Sequence, residues 1–178
     1  MPGFFFVPFL QKCFLYNPTV MIESCIFGMA KSSLNLIGAK RQKLELDYLR
    51  LAYACQHYRQ LGHRAYGFLA VTTPAIKAQA NLWATTYKVP IDMVEVFVVD
   101  LAPEETAQLV HYQSLNRMAM TGSLDTASSA RHADATYGRK LVEKKLRIVV
   151  QKIYPGVAFD GDCQDPEMGI CWDLFGKY

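Results

Sequence analysis

The chain has 178 residues, of which 51% are apolar and 20% charged, with a net charge of +3. That length fits one domain with appendages, and the apolar content is enough for a core without disulfides or metal, which excludes global disorder. The net charge is too small to imply a nucleic-acid partner by itself, but positive residues gather near 40–64 and 139–152 and the tail after Gly156 is acidic.

Residues 1–30 form an apolar N-terminal arm or strand in which only Lys12 and Glu23 are charged. A secretory signal needs basic residues ahead of its apolar run, and none precedes Phe4. Gln11, Lys12, Asn17, Pro18 and Glu23 interrupt the stretch, so no membrane span is expected. Either Thr19–Phe27 is a buried strand behind a loose arm, or the natural start is Met21 or Met29. A membrane-surface helix lacks the basic polar face it would need.

The segment 31–156 reads as an α/β domain. Leu44, Tyr48, Leu51, Cys55 and Tyr58 recur at helical spacing, with Asp47 on the polar side within reach of Lys43 and Arg50, and Gly62 supplies a stop. Residues 65–73, AYGFLAVTT, read as a buried strand. Thr73-Pro74 is a helix opening, and Ile76, Ala80, Trp83 and Tyr87 follow with helical spacing to Val89-Pro90. Residues 93–101, MVEVFVVDL, are a second strand, apolar enough for cover on both faces. Pro103, Glu104 and Glu105 open a helix that runs to about Met118. A helix between two strands makes a parallel pair the expected connection. The fold class is therefore a small layered α/β domain with a mostly parallel or mixed sheet flanked by helices.

Residues 121–138 are small and polar and read as an exposed loop. Val142, Leu146, Val149 and Ile153 give a helical seam, although LRIVVQKIY also suits a strand, so a helix yielding to a strand near Ile148 is expected. Residues 157–178 form an acidic and aromatic tail whose Phe159, Trp172 and Phe175 should dock on the body. The five cysteines, Cys13, Cys25, Cys55, Cys163 and Cys171, are odd in number and widely spaced, which points to reduced thiols in a cytoplasmic setting, with Cys55 in the core.

Candidate chemistry is sparse. Asp160, Asp162, Asp165 and Glu167 lack the glycine and glutamate spacing of a calcium loop, so no metal is expected there. His57, His63, His111 and His132 have no zinc-helix spacing, and Ser129, His132 and Asp125 can be written as a triad that nothing in the sequence orients. Phosphate-cradle motifs are absent and both helices that follow strands open with proline, so no cofactor is expected. Arg139, Lys140, Lys144, Lys145, Arg147 and Lys152 form a basic run opposed only by Glu143, which is a candidate nucleic-acid contact, and Lys40, Arg41 and Lys43 form a second cluster.

The order strand, helix, strand, helix over about residues 19–88 is similar to the second half of restriction-endonuclease-like nucleases, in which a strand bearing glutamate-x-lysine is followed by a helix, a strand and a helix. Glu23-Ser24-Cys25 would match that strand, with Cys25 at the lysine position and no aspartate ahead of Glu23. The resemblance implies a degenerate nuclease, or a site supplied by Glu45 and Asp47 instead. The reading the sequence favours is a non-catalytic protein acting through macromolecular interaction, as an accessory, immunity-type or subunit protein with a protein partner or self-association. Nucleic-acid binding is the alternative. A small-molecule enzyme with its site at the strand ends, near Thr72, Thr73 and Asp100, comes third.

Overall fold

The computed structural model describes residues 23–120, 127–159, 170 and 172–178, with backbone alone for 116–120 and 127–135. Strand β1 (Ser24–Ala30) leads through α1 (Ala39–Gln60) to β2 (Arg64–Val71), and α2 (Pro74–Thr86) leads on to β3 (Val94–Val98). Helices α3 (Pro103–Met120) and α4 (Ala127–Ile153) follow, then the short β4 (Ala158–Phe159) and β5 (Leu174–Lys177). The five strands form one mixed sheet in the order β3-β2-β1-β5-β4. β1, β2 and β3 run parallel, whereas β5 lies antiparallel to β1 and to β4.

Both sheet faces are covered, and the strand period of two divides the core. Cys25, Phe27 and Met29 of β1 and Leu69 and Val71 of β2 face Leu44, Tyr48, Leu51, Cys55 and Tyr58 of α1 and Ile76 and Trp83 of α2. Ile26 and Ala30 of β1 and Phe68 and Ala70 of β2 face Val142, Leu146 and Val150 of α4. The whole of β1 is buried, as suits a strand between two neighbours and two helical layers. Phe27 is the hub of the first face: its ring lies 5.1 Å from that of Tyr58, 5.3 Å from Trp172 and 5.4 Å from Phe175.

The periodicity readings of α1 and α2 and the strands read in 65–73 and 93–101 hold, and Thr73 caps α2 by accepting from the Ile76 N–H at 3.3 Å, with proline in the first turn. Three expectations need correction. Asp47 lies on the buried side of α1, not its polar side, because that helix passes over Lys31 at the end of β1. Residues 93–101 were expected to be covered on both faces, but β3 is an edge strand that leaves Glu95 exposed. Residues 127–138 are the first turns of α4, not a loop. Ala127, Ala130, Ala133 and Ala135 supply the helix propensity that small size disguised. α4 continues to Ile153 with no strand near Ile148. The apolar residues 1–22, the acids Asp160, Asp162, Asp165 and Glu167, and the side chains of Asp125, Ser129 and His132 lie outside the described residues. Among the described residues, no helix is long and apolar enough to cross a membrane.

Candidate anion-binding cleft

The C-terminal end of β1 meets elements from both layers. The Lys31 N–H donates to the Ala70 carbonyl at 2.9 Å and extends the pairing with β2. The Ser32 carbonyl accepts from Gln113 Nε2 of α3 at 2.9 Å, and the Ser33 carbonyl accepts from the Thr72 hydroxyl. On the other side the Ala30 N–H donates to Asp173 Oδ2 at 2.7 Å, just ahead of β5. α4 can approach this loop because residue 138 is glycine: a Cβ there would fall 2.8 Å from Ser32 Cβ and 3.0 Å from Leu109. The residues 31–33 are thus held from three sides.

Above this pinned loop lies a cleft of about 310 Å³. Its floor is Leu36, Leu44 and Ile76, and its charged lining is Lys31, Lys40, Lys43 and Arg139 against the single carboxylate of Asp173. The position follows a general rule of open α/β sheets, which place ligands outside the carboxyl ends of their parallel strands. Lys31 pairs with buried Asp47, which also takes Arg50 at 3.3 Å. Arg139 Nε lies 2.6 Å from Glu143 and 3.3 Å from Asp173. Burial raises the Glu143 carboxyl above the ordinary glutamate value, and the neighbouring Asp173 charge adds to the rise while Arg139 opposes it. Lys40 and Lys43 have no ion pair among the described residues, so the cleft keeps a positive excess.

That excess sits where the fold least wants it. α1 begins after Gly38 (φ 55°) without a side-chain cap, and no acid occupies its first turn. Lys40 and Arg41 stand there instead, at the positive end of the helix dipole, where carboxylates are stabilising and cations are not. An anion in the cleft would offset that repulsion.

The basic run divides when placed on α4. Arg139 enters the cleft. Lys145 pairs with Glu105 at 3.0 Å, and Glu105 is held below the usual glutamate value first by the Ala102 N–H and then by Lys145. The Arg147 guanidinium lies 4.7 Å from the centroid of the Phe159 ring. Lys140, Lys144 and Lys152 are exposed, and at 100° per residue Lys140, Lys144 and Arg147 share the side of α4 turned away from Val142, Leu146 and Val150.

Other sequence candidates do not converge. Glu45 accepts from the Tyr87 hydroxyl at 2.5 Å on one side of α1, while Asp47 turns to Lys31 on the other. The Thr72 and Thr73 hydroxyls are engaged in the loop and the cap, and Asp100 is exposed beyond β3. His57 stacks on Tyr53 with ring centroids 6.4 Å apart, and neither it nor His111 reaches the cleft. Asp173 and Lys31 were missed because each acquires its place through strand pairing across the sheet, which leaves no local pattern. Comparison with family models, curated proteins and solved structures finds no match.

Proposed function

We propose that this protein binds nucleic acid, with backbone phosphates seated in the cleft above β1 and running onto the outer side of α4. The observation that carries the reading is the convergence of Lys31, Lys40, Lys43 and Arg139, from three separate elements, on one cleft with a single lining carboxylate. Phosphate contacts by lysine and arginine give sequence-independent affinity that falls with salt. Lys140 and Lys144 extend the same charge along α4.

The test is fluorescence anisotropy of a mixed-sequence oligonucleotide, single-stranded and duplex, over a range of salt. Reversing Lys40 and Lys43 together is expected to flatten the slope of log affinity against log salt by about 2, roughly one per lost phosphate contact. Reversal of Lys144 should flatten it by about 1. No binding, or a slope that ignores all three substitutions, would defeat the reading.

A second reading has its own observation. Tyr53, 62% exposed, borders a groove lined by Leu49 and Ala52 of α1 and by Tyr87, Val89, Pro90 and Met93. Apolar side chains gathered this way suit contact with another protein, in the accessory or subunit role favoured by the sequence. Tyr53→Ser would then weaken a retained partner and leave oligonucleotide affinity unchanged.

A further inference from the structure

At the opposite end of β1, three donors of different chemistry come together. Ser24 pairs with Arg64 and Cys25 with Ala65 in the parallel register, so the residues one step earlier, Glu23 and His63, stand side by side where the two strands begin. The Arg64 N–H donates to the Glu23 carbonyl at 3.3 Å, which fixes that neighbourhood. Glu23 and Cys25 are two apart on an extended chain and so share a face. Gly62, at φ 93°, ends α1 and turns the chain into β2, and His63 packs its ring 5.8 Å from that of Tyr58. A carboxylate oxygen of Glu23, the sulfur of Cys25 and a ring nitrogen of His63 all lie within 4.8 Å of one another.

We infer that Glu23, Cys25 and His63 form a zinc-type metal site at the amino-terminal end of the parallel strands. A buried cysteine alone is ordinarily a small core residue. Here the sulfur has an imidazole and a carboxylate within reach, and that mixture of sulfur, nitrogen and oxygen ligands is the one zinc takes, whereas magnesium and calcium select oxygen alone. Zinc–ligand bonds of about 2.0–2.3 Å place tetrahedral ligands roughly 3.5 Å apart, so side-chain rotation of an ångström or so closes the present triad. The backbone needs no change, because strand pairing holds Cys25 itself and the residues that immediately follow Glu23 and His63. Cys25 is buried, while Glu23 and His63 are half-exposed. The ion therefore enters from the Glu23 and His63 side, and its fourth position falls to water. As the sulfur–metal bond forms, the thiol proton leaves to solvent. Lys177 lies 3.0 Å from Glu23 Oε2 and competes with the ion for that carboxylate.

The site is separate from the cleft and does not depend on nucleic-acid binding. The test is titration of the chelator-treated full chain with cobalt(II) and then zinc(II), followed by absorption. One equivalent of cobalt is expected, with a thiolate-to-cobalt charge-transfer band and visible bands of tetrahedral intensity, all displaced by zinc. Cys25→Ser should abolish the charge-transfer band. His63→Ala, at a half-exposed position that leaves the core intact, should weaken cobalt at least about 100-fold, since even outer-shell partners cost 10–100-fold. Cys55→Ser, on α1, should change neither. Absence of a stoichiometric thiolate–cobalt complex overturns the inference, as does a band that survives both Cys25→Ser and His63→Ala.

Discussion

The two ends of β1 carry opposite chemistries. At its carboxyl end, lysine and arginine side chains gather from α1, α4 and the loop after the strand, with carboxylates in a supporting role. At its amino end, a thiol of β1 meets an imidazole and a carboxylate from the residues just ahead of β2 and β1. The first is assembled by helices that lie on both sides of the sheet, around a cleft of about 310 Å³. The second is assembled by strand register, so it is small and has little freedom. A single buried strand therefore carries a basic cleft at one end and a compact cluster of mixed donors at the other.

The largest expected effect comes from breaking what the ends share. Asp173 immediately precedes β5 and Lys177 is its last residue, and β5 runs antiparallel beside β1, so this one segment contributes a residue to each end. Trp172, packed on Phe27, seats that strand. Trp172→Ala is expected to cost about 3–5 kcal/mol in denaturant unfolding and to weaken oligonucleotide and cobalt binding together. Loss of one without the other would show that the ends are held independently.

A substitution confined to the upper end should separate them. Asp47→Ala removes the buried partner of Lys31 and is expected to destabilise by about 3 kcal/mol, since breaking a buried pair leaves its partner uncompensated. The released lysine should tighten oligonucleotide binding, and cobalt affinity should not move. Gly138→Val is a steric counterpart: with Ser32 only 2.8 Å from the added Cβ, about 1–3 kcal/mol of stability and part of the cleft should be lost.

Lower-end substitution should do the reverse. Lys177→Ala removes the cation beside the Glu23 carboxylate and is expected to tighten cobalt by about fivefold or less, the range of an exposed charge pair, without affecting oligonucleotide binding.

The smallest effect is a pH dependence at Glu143. Its carboxyl is raised in the folded chain, so the folded state holds the proton to higher pH than the unfolded state does. The contribution is favourable below the unfolded value and is lost as pH rises through the folded one. Glu143→Gln should therefore raise the unfolding midpoint slightly at neutral pH relative to acid. Asp173 and Arg139 face the same carboxyl, and Arg139 would keep its pairing with Asp173 while losing the Glu143 charge from the cleft edge. A midpoint difference that grows towards acid pH would contradict this.

The legible parts of the molecule were those governed by local period. The face Leu44, Tyr48, Leu51, Cys55 and Tyr58, the capped opening at Thr73-Pro74 and the parallel pairing of the strands in 65–73 and 93–101 could all be read from the sequence. Ala127–Gly138 was misread because alanine and small polar residues suit helix and loop alike, and packing of Tyr137 on Tyr112 of α3, with ring centroids 5.1 Å apart, is a tertiary contact. Arg139 stood out as charge, but its placement in a cleft depended on Gly138 and on Asp173. The pair Glu23 and Cys25 drew notice through a nuclease-like pattern, yet His63 could join them only through the β1–β2 register, which no single segment encodes.

The pairing of Phe27 with Phe175 has a consequence in time. β1 is the first strand of the described sheet and acquires β2 after one helix, but its other edge is covered by β5, the last. At synthesis rates of about 5–20 residues per second, that edge waits roughly 7–30 s on the ribosome for its partner. Through that interval a largely apolar strand, buried along its whole length in the finished fold, offers unpaired backbone groups to any passing chain. Interrupting translation ahead of Leu174 should therefore yield aggregates seeded at Ser24–Ala30, and a chaperone that shields this one edge would raise the yield of native protein more than one that acts elsewhere.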